Sequence, residues 1–282
     1  MSPDYRRRIH GATCCSSMAP STRNIVWIAS YPKSGNTWVR FLACNLLFGP
    51  QESATTVSLL APDIHEAGPA LITGSHAGLV KTHFAYSSSL PLLNRSAAAI
   101  YVVRHPADVL VSNFYYAQRR LARQAHSGAA FDEYFDEFVA NRGDPQWQRL
   151  GMGSWEENVR SWLGGHTAFP VVVVRYEDLS ANAYQVAVKL AQFLKPTSTE
   201  QEVRQAIEDS SFSRMREIEE GDIRAQRVGI FYKPYLQPSI EAGNRFMREG
   251  AVGSGARHFT AAQRTRLIAA FGPLLVELRY DT

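Results

Sequence analysis

The sequence predicts a single α/β domain in which helices flank a central parallel sheet. Four short apolar segments have the composition of strands, and each is followed by polar residues and then by a helix-like segment. Segments that are apolar throughout, without alternation, are typical of strands buried on both faces of a parallel sheet. The regular alternation of strands with helices is typical of the same class. The predicted strands cover residues 24–30, 78–82, 97–103 and 171–174.

The segments between and after these strands predict six helices. The first ends at Gly49-Pro50, a pair that commonly stops a helix. Residues 221–255 are rich in Gly, Pro, aromatic and basic residues without a clear period, and we expect a long functional loop there. The predicted helices cover residues 37–48, 107–123, 131–141, 155–163, 184–194 and 200–210.

Composition limits the classes of partner. The chain has 282 residues, 45% of them hydrophobic, and a net charge of +4. This describes a globular protein with a mild preference for anions, and the excess charge is too small to predict a nucleic-acid partner. No run of 18 uncharged apolar residues occurs, so we expect no membrane span and no membrane partner.

Cysteine usage and the N-terminus favour a cytoplasmic protein. Cys14, Cys15 and Cys44 are odd in number and form no CxxC pair, which argues against a disulfide framework and a structural zinc site. Residues 1–22 contain an RRR run but no apolar stretch long enough for a signal peptide. We expect a flexible tail over residues 1–22 and one domain over residues 23–282.

The first predicted strand leads into a turn that resembles a phosphate loop. Residues 28–38 read IASYPKSGNTW. The usual phosphate loop of NTP-hydrolysing proteins, GxxxxGK[ST], has its lysine directly after the second glycine, whereas Lys33 lies two residues before Gly35. A strand-to-helix turn of this kind aims backbone N–H groups at an anion, and Lys33 adds a mobile charge. The alternative is a simple turn in which Ser34 or Asn36 caps the helix.

Two further strand ends carry charged side chains. Lys81 and His83 lie at the end of the second strand and face the same side, which suits a general base beside a cation. The alternative is a solvated Lys81 and a His83 packed under the next loop. The third strand ends in Arg104, where a Walker B strand would end in a magnesium-binding Asp; guanidinium suits direct phosphate binding. Asp108 is expected to interact with local backbone near the start of the next helix.

Six segments together resemble one family. Their order and approximate spacing are those of the sulfotransferases of the cytosolic type that use 3′-phosphoadenosine 5′-phosphosulfate (PAPS), and the composition resembles bacterial members. The resemblance implies a P-loop-like fold and metal-free transfer of a sulfuryl group from PAPS to a hydroxyl or, less commonly, an amine, with 3′-phosphoadenosine 5′-phosphate (PAP) as the product. The segments are IASYPKSGNTW, VKTHFAY, IYVVRHPADVLVSNFYY, VVVVRYEDL, DSSFSRM and FMREGAVGSGARHFT.

The resemblance also implies roles for individual residues. His83 matches the general base and Lys81 its stabilising neighbour. Lys33 matches the cation that opposes the charge growing on the bridging oxygen, and both Lys33 and Ser112 are candidates for the donor site as well as for catalysis. The donor contacts implied are Ser34, Gly35, Asn36 and Thr37 at the 5′-phosphate, Trp38, Tyr176, Ser210 and Phe212 at the adenine, and Arg104, Ser112, Arg248 and Gly250 at the 3′-phosphate.

Some positions depart from the family pattern. Asn36 replaces a common threonine, and Glu249 replaces the lysine of Arg-Lys-Gly, where we expect its carboxylate to turn away from the phosphate. Residues 253–256 differ from the common Gly-Asp-Trp-Lys, and the dimer motif of animal members is essentially lost, so a dimer of that kind is not expected.

Two other functions compete with sulfuryl transfer. A nucleotide kinase or ATPase with a degenerate P-loop would need magnesium, with Glu177 and Asp178 as its best ligands. A binding module would hold an adenine nucleotide without catalysing a reaction, and the presence of both Lys33 and His83 argues against it. For the sulfotransferase we expect the acceptor to be a small hydroxylated molecule or a glycan. Aromatic candidates for its pocket, of which core packing explains about half equally well, are Phe84, Tyr86, Tyr115, Tyr116, Phe231, Tyr232 and Tyr235.

Overall fold

A four-stranded parallel sheet forms the centre of the protein. The computed structural model describes residues 23–73, 78–120 and 128–280. The strands lie in the order β2-β1-β3-β4, and all three pairings are parallel. The predicted class and all four predicted strands are therefore confirmed. The strands are β1 (Ile25–Ser30), β2 (Leu79–Thr82), β3 (Ser96–Val103) and β4 (Val171–Arg175).

Helices cover both faces of this sheet. The residue pairs formed by β1 and β3 alternate between two apolar clusters: the pair Ala29 and Tyr101 packs into one, whereas the pair Ile28 and Ile100 packs into the other. Successive side chains of a strand point to opposite faces, so a strand covered on both faces must be apolar at every position. This requirement is why the strands are uninterrupted apolar segments in the sequence.

Fourteen helices are present among the described residues. Those that the sequence predicts begin and end within about three residues of the expected positions, where both ends are described. Two short 3₁₀ turns, Leu93–Arg95 and Pro234–Leu236, accompany them. The helices are α1 (Asn36–Phe48), α2 (Ala54–Leu60), α3 (Ile64–Thr73), α4 (Pro106–Arg120), α5 (Gly128–Ala140), α6 (Pro145–Arg149), α7 (Trp155–Leu163), α8 (Tyr176–Ala181), α9 (Ala183–Leu194), α10 (Glu200–Asp209), α11 (Phe212–Arg224), α12 (Gln237–Glu241), α13 (Ser254–His258) and α14 (Ala261–Glu277).

The region 221–255 differs from its prediction. Its first residues belong to α11, and short helical turns interrupt the rest. The helical period of α11 is hard to see in sequence because polar residues occupy buried positions: Glu219 and Asp222 are almost fully buried, and each accepts backbone N–H groups from another segment. The expected tail over residues 1–22 and the end of the helix predicted over 107–123 lie outside the described residues.

The carboxyl ends of the four strands meet at one edge of the sheet, where parallel α/β folds bind their ligands. Ser30, Thr82, Val103 and Arg175 end the strands there. The charged side chains singled out in the sequence lie at or just beyond these ends: Lys33 at β1, Lys81 and His83 at β2, and Arg104 at β3. None of the described helices is both long enough and apolar enough to cross a bilayer.

Candidate active site

The turn between β1 and α1 has the geometry of an anion-binding loop. Helix α1 begins at Asn36, and its first backbone hydrogen bond runs from Trp38 N–H to the Gly35 carbonyl at 3.0 Å. The N–H groups of Asn36 and Thr37 precede this bond and lie at the positive end of the helix dipole. Gly35 precedes the helix at φ +96°, and a Cβ there would lie 2.3 Å from Cδ2 of Tyr176, so only glycine fits. The Ser34 hydroxyl is buried without a hydrogen-bond partner among the described residues. Such a group suits contact with a polar ligand.

A cavity of about 920 Å³ opens beside this loop. Its volume is near the upper end of the range for small-molecule sites, roughly 300–1,000 Å³, and leaves room for two ligands. Lys81 and His83 line it together with most of the predicted donor contacts. Those contacts are Lys33, Gly35, Asn36, Thr37, Trp38, Arg104, Ser112, Tyr176, Phe212, Arg248 and Gly250.

A buried guanidinium lies at one end of the cavity. Arg104 is 7% exposed, stacks at 4.1 Å over the ring of Tyr176 and donates from Nη2 to the Ala251 carbonyl at 2.9 Å. The nearest carboxylate oxygen, on Asp108, lies 3.5 Å away and also accepts backbone N–H groups. A cation so deeply buried and only partly compensated favours an anionic ligand.

Aromatic rings surround the same end. Trp38 and Tyr176 contact each other edge to face, with centroids 5.6 Å apart. Gly250 adopts φ +65°, and a Cβ there would lie 2.4 Å from Cδ2 of Phe212, so this glycine lets the chain pass close to the ring. The Tyr176 hydroxyl donates to the Gly250 carbonyl at 2.8 Å. Three aromatic side chains are therefore fixed where a planar base could stack.

His83 is held in one tautomer. Its Nδ1 lies 2.8 Å from the Ser30 carbonyl oxygen, and because a carbonyl only accepts, Nδ1 carries the proton and Nε2 keeps a free electron pair. Burial, and after it the charge of Lys81, holds the pKa of His83 well below its usual 6.5. The imidazole is therefore neutral at pH 7 and can accept a proton at Nε2.

A carboxylate and a second histidine support this base. Asp63 accepts from Lys81 Nζ at 2.6 Å and from the backbone N–H of His65 at 3.0 Å. His65 Nε2 in turn accepts the backbone N–H of His83 at 2.8 Å. Burial alone would raise the pKa of Asp63, but Lys81 and His83 hold it well below its usual range. Asp63 is therefore ionised and balances the positive charge beside the base.

Lys33 lies between the two ends of the cavity. Its Nζ is 4.1 Å from the ring centroid of Tyr116 and 4.5 Å from that of Phe246. No carboxylate of the described residues lies within ion-pair distance. Burial, followed by the charges of Arg119 and Arg104, lowers the pKa of Lys33 from 10.5 to about 7. An anion that enters here would stabilise the ammonium form.

The other end of the cavity carries most of its apolar side chains. Of the aromatic residues expected to line an acceptor pocket, Phe84, Tyr116 and Tyr235 line the cavity. The other four do not: Phe231 and Tyr232 are core residues, and Tyr86 and Tyr115 pack against other rings. Further apolar lining comes from Ile64, Trp147, Leu150, Met152, Ile230 and Phe246.

A family model described as "Sulfotransferase domain" matches residues 23–279. The chain belongs to this family. Among its relatives, a 3-beta-hydroxysteroid sulfotransferase of Cavia porcellus is 28% identical over 245 residues, covering 83% of this chain and 77% of the relative. Sulfotransferase 2A1 of Rattus norvegicus is 28% identical over 263 residues, covering 88% and 83%. The family and the PAPS-dependent sulfotransferase activity implied by the sequence motifs are confirmed.

Solved sulfotransferase structures share the fold. Mouse sulfotransferase SULT7A1 complexed with PAP has a TM-score of 0.62 and 19% identity, over 90% of this chain and 84% of that one. Retinol dehydratase in complex with androsterone and the inactive cofactor PAP has a TM-score of 0.62 and 18% identity, over 89% and 80%. The P-loop-like fold expected from the sequence is the fold of these proteins.

Three predicted donor contacts of this sulfotransferase need comment. Ser34 does not line the cavity, although its hydroxyl is unpaired. Ser210 is fully buried, with its hydroxyl bonded to Ala206 and Asn45, so the prediction that it contacts the adenine is wrong for its side chain. The Asn36 amide donates inward to the Ile28 carbonyl at 3.0 Å and to Ser30 Oγ at 3.2 Å. It braces the residue that orients His83, and only the backbone of Asn36 is left for a phosphate.

Glu249 lies on the cavity wall. Its carboxylate pairs with Arg248 and lies 3.5 Å from Arg257. These two guanidinium groups compensate the carboxylate, so its position near an anion site is less costly than that of an unpaired charge. The expectation that the carboxylate turns away from the phosphate stays a prediction.

Sequence reasoning missed the residues that hold the site together. Glu219 accepts the N–H groups of residues 246–247 at 2.6 and 2.9 Å, and Asp108 accepts those of Gly253 and Gly255 at 2.9 and 2.7 Å. Asp108 therefore bonds a distant segment and not the local backbone that we expected. A buried carboxylate that binds backbone has no sequence motif. The described ranges contain no group of three or more His, Cys, Asp or Glu side chains placed to hold a metal ion.

Proposed function

We propose that this sulfotransferase transfers the sulfuryl group of PAPS to a hydroxyl of a small-molecule acceptor, with His83 as the general base. The observation that carries the proposal is the His83 tautomer. Its Nδ1 is 2.8 Å from the Ser30 carbonyl, which leaves Nε2 as a proton acceptor on a side chain that borders the same cavity as the anion-binding loop.

The donor nucleotide is assigned to the cationic end of the cavity. The 5′-phosphate fits the first turn of α1 and the loop around Gly35. The 3′-phosphate fits Arg104, Ser112 and Arg248, which supply charge and hydrogen bonds without a metal. The adenine fits between Trp38, Tyr176 and Phe212, where flat aromatic faces are available.

The reaction is an in-line displacement at sulfur. The acceptor oxygen forms a bond to sulfur as the bond from sulfur to the bridging oxygen of PAPS breaks, and the hydroxyl proton passes to Nε2 of His83. Lys33 opposes the negative charge that grows on the bridging oxygen, a contribution that is largest in the transition state. Asp63, through Lys81 and its proximity to His83, offsets the positive charge of the imidazolium that forms.

The acceptor is assigned to the apolar end. The relatives with known names include a hydroxysteroid sulfotransferase, and one similar structure is a complex with androsterone. The lining by Phe84, Trp147 and Met152 suits an apolar or aromatic body. We further propose that the enzyme works in the cytoplasm, without a nucleic-acid or membrane partner and without the dimer of animal members.

Calorimetry with three nucleotides tests the donor assignment. PAP should bind at least about a hundredfold more tightly than AMP, because only PAP engages Arg104 and Arg248 through two additional charges. ATP, which has a longer 5′ chain and no 3′-phosphate, should bind no better than AMP. Equal affinities for PAP and AMP would show that the 3′-phosphate site is misassigned.

A further inference from the structure

Two arginines at the acceptor end of the cavity have no carboxylate partner. Arg119 and Arg120 lie at the end of α4 and both line the cavity. Ion pairs neutralise two of the other cations of the wall: Lys81 pairs with Asp63 at 2.6 Å, and Lys233 pairs with Glu66 at 2.5 Å. Among the described parts of the chain, no carboxylate lies within 4 Å of Arg119 or Arg120.

Arg119 is the unusual member of this pair. Its side chain is almost entirely enclosed, with 4% of the residue exposed. One Nη donates to the Phe231 carbonyl at 2.9 Å, and Nε has no partner among the described residues. The buried carboxylate of Glu219 attracts this guanidinium from beyond ion-pair distance, but it also accepts two backbone N–H groups. The buried charge of Arg119 is therefore only partly compensated, which favours an anionic ligand.

The position of Arg119 separates it from the donor site. Ser112, Tyr116 and Arg119 follow one another along one face of α4, and Arg119 is about 10 Å beyond Ser112 at 1.5 Å per residue. Arg119 also packs on Phe246, with its Cζ 5.8 Å from the ring centroid, and Lys33 Nζ lies 4.5 Å from the same centroid. A small molecule beside this ring can therefore present its hydroxyl near Lys33 and another group to Arg119.

We propose that the acceptor carries a carboxylate on its apolar body, and that Arg119, assisted by Arg120 at the cavity rim, binds this carboxylate. The inference rests on the proposed function, since it assumes that PAPS occupies the opposite end. It explains why buried positive charge extends past the residues needed for the nucleotide. The repulsion between Arg119 and Lys33, which contributes to the low pKa of Lys33, would be relieved by the bound anion.

Acids paired with their amides test this proposal. The probes are 4-hydroxybenzoic, 4-hydroxyphenylacetic and 3-(4-hydroxyphenyl)propanoic acid and their primary amides, titrated by calorimetry into the PAP-saturated enzyme. At least one acid should bind about tenfold or more tightly than its amide, with the difference shrinking as salt rises. If no acid binds more tightly than its amide, the proposal is wrong.

Variants locate the effect. Arg119→Gln should remove the preference for the acid and leave amide affinity within about twofold, whereas Arg119→Lys should keep part of it. Arg120→Gln, at an exposed position that carries little folding risk, should also reduce the preference for the acid. It provides the test if Arg119→Gln does not fold. Arg204→Gln, which removes an exposed arginine paired with Glu200 at 2.7 Å on α10, is the matched control and should change nothing.

The same titrations separate the two hypotheses. PAP binding is measured first in every variant. Failure of PAP to bind the wild-type enzyme would contradict the proposed function and with it this inference. Normal PAP binding with a preference for the acid that survives both Arg119→Gln and Arg120→Gln would contradict only the carboxylate site.

Discussion

Binding of PAP at pH 8 should take up almost one proton, because the low pKa of Lys33 rises when the nucleotide arrives. The free enzyme holds Lys33 near a pKa of 7 through burial and through the charges of Arg119 and Arg104. A phosphate in the adjoining loop supplies the negative charge that this ammonium lacks. Opposite charge within a few ångströms favours the charged form and raises a lysine pKa toward its ordinary value.

The size of the effect follows from the two pKa values. At pH 8 a lysine of pKa 7 is about one-tenth protonated, and with its pKa restored it is almost fully protonated, so binding takes up about 0.9 proton. At pH 6 the same change takes up only about 0.1 proton. The sign of the linkage requires PAP affinity to fall with rising pH, by nearly tenfold per unit around pH 8.

Calorimetry in two buffers of different ionisation enthalpy measures this uptake directly. A phosphate monoester has its second pKa near 6, so the nucleotide contributes little at pH 8. Lys33→Gln is the control, and it should bind PAP more weakly with a proton uptake near zero. Wild-type binding at pH 8 without proton uptake, or an equal uptake in Lys33→Gln, would refute the proposal that Lys33 interacts with the phosphates of the bound nucleotide.

Other variants test separate parts of the site. His83→Ala should slow sulfuryl transfer by about 10²- to 10⁴-fold while PAP affinity measured by calorimetry stays within twofold; a near-normal turnover number would exclude His83 as the base. Gly35→Ala should weaken PAP binding at least about tenfold, because its Cβ would lie 2.3 Å from an aromatic carbon; Gly243→Ala, with a similar φ of +85° but open space, is the control and should bind PAP normally. Glu249→Gln should tighten PAP binding several-fold at low salt by freeing Arg248; unchanged affinity at all salt concentrations would show that the carboxylate does not compete.

The parts of the fold that could be predicted share a physical cause. Each strand is covered on both faces, which forces an uninterrupted apolar segment. Helix α7 begins and ends at the predicted residues, and the structure shows a capping box of Ser154 and Glu157 at its start. The phosphate loop could also be predicted, because its requirements are local. Gly35 and Lys33 are required by local geometry and local charge, and both lie close together in the sequence.

The rest of the site depends on contacts between distant segments. Asp63 and His65 support the base only because the chain before α3 runs beside β2, where Asp63 bridges to Lys81. Glu219 lies in a helix whose buried face is partly charged, so its amphipathic pattern is weak. The inward turn of Asn36 depends on Ser30 at the end of β1. Neither the spacing of these residues nor the composition of the sequence predicts these contacts, because they form only when distant segments meet in the folded chain.

The most direct test of the account is the reaction itself. The purified protein is incubated with PAPS and a panel of hydroxylated acceptors, with EDTA present, and the products are analysed by mass spectrometry and by the amount of PAP formed. We expect that at least one acceptor gains one sulfuryl group, that PAP appears in equal amount, and that EDTA does not slow the reaction. A transfer that requires added magnesium, or a phosphoryl gain from ATP in place of a sulfuryl gain from PAPS, would contradict it.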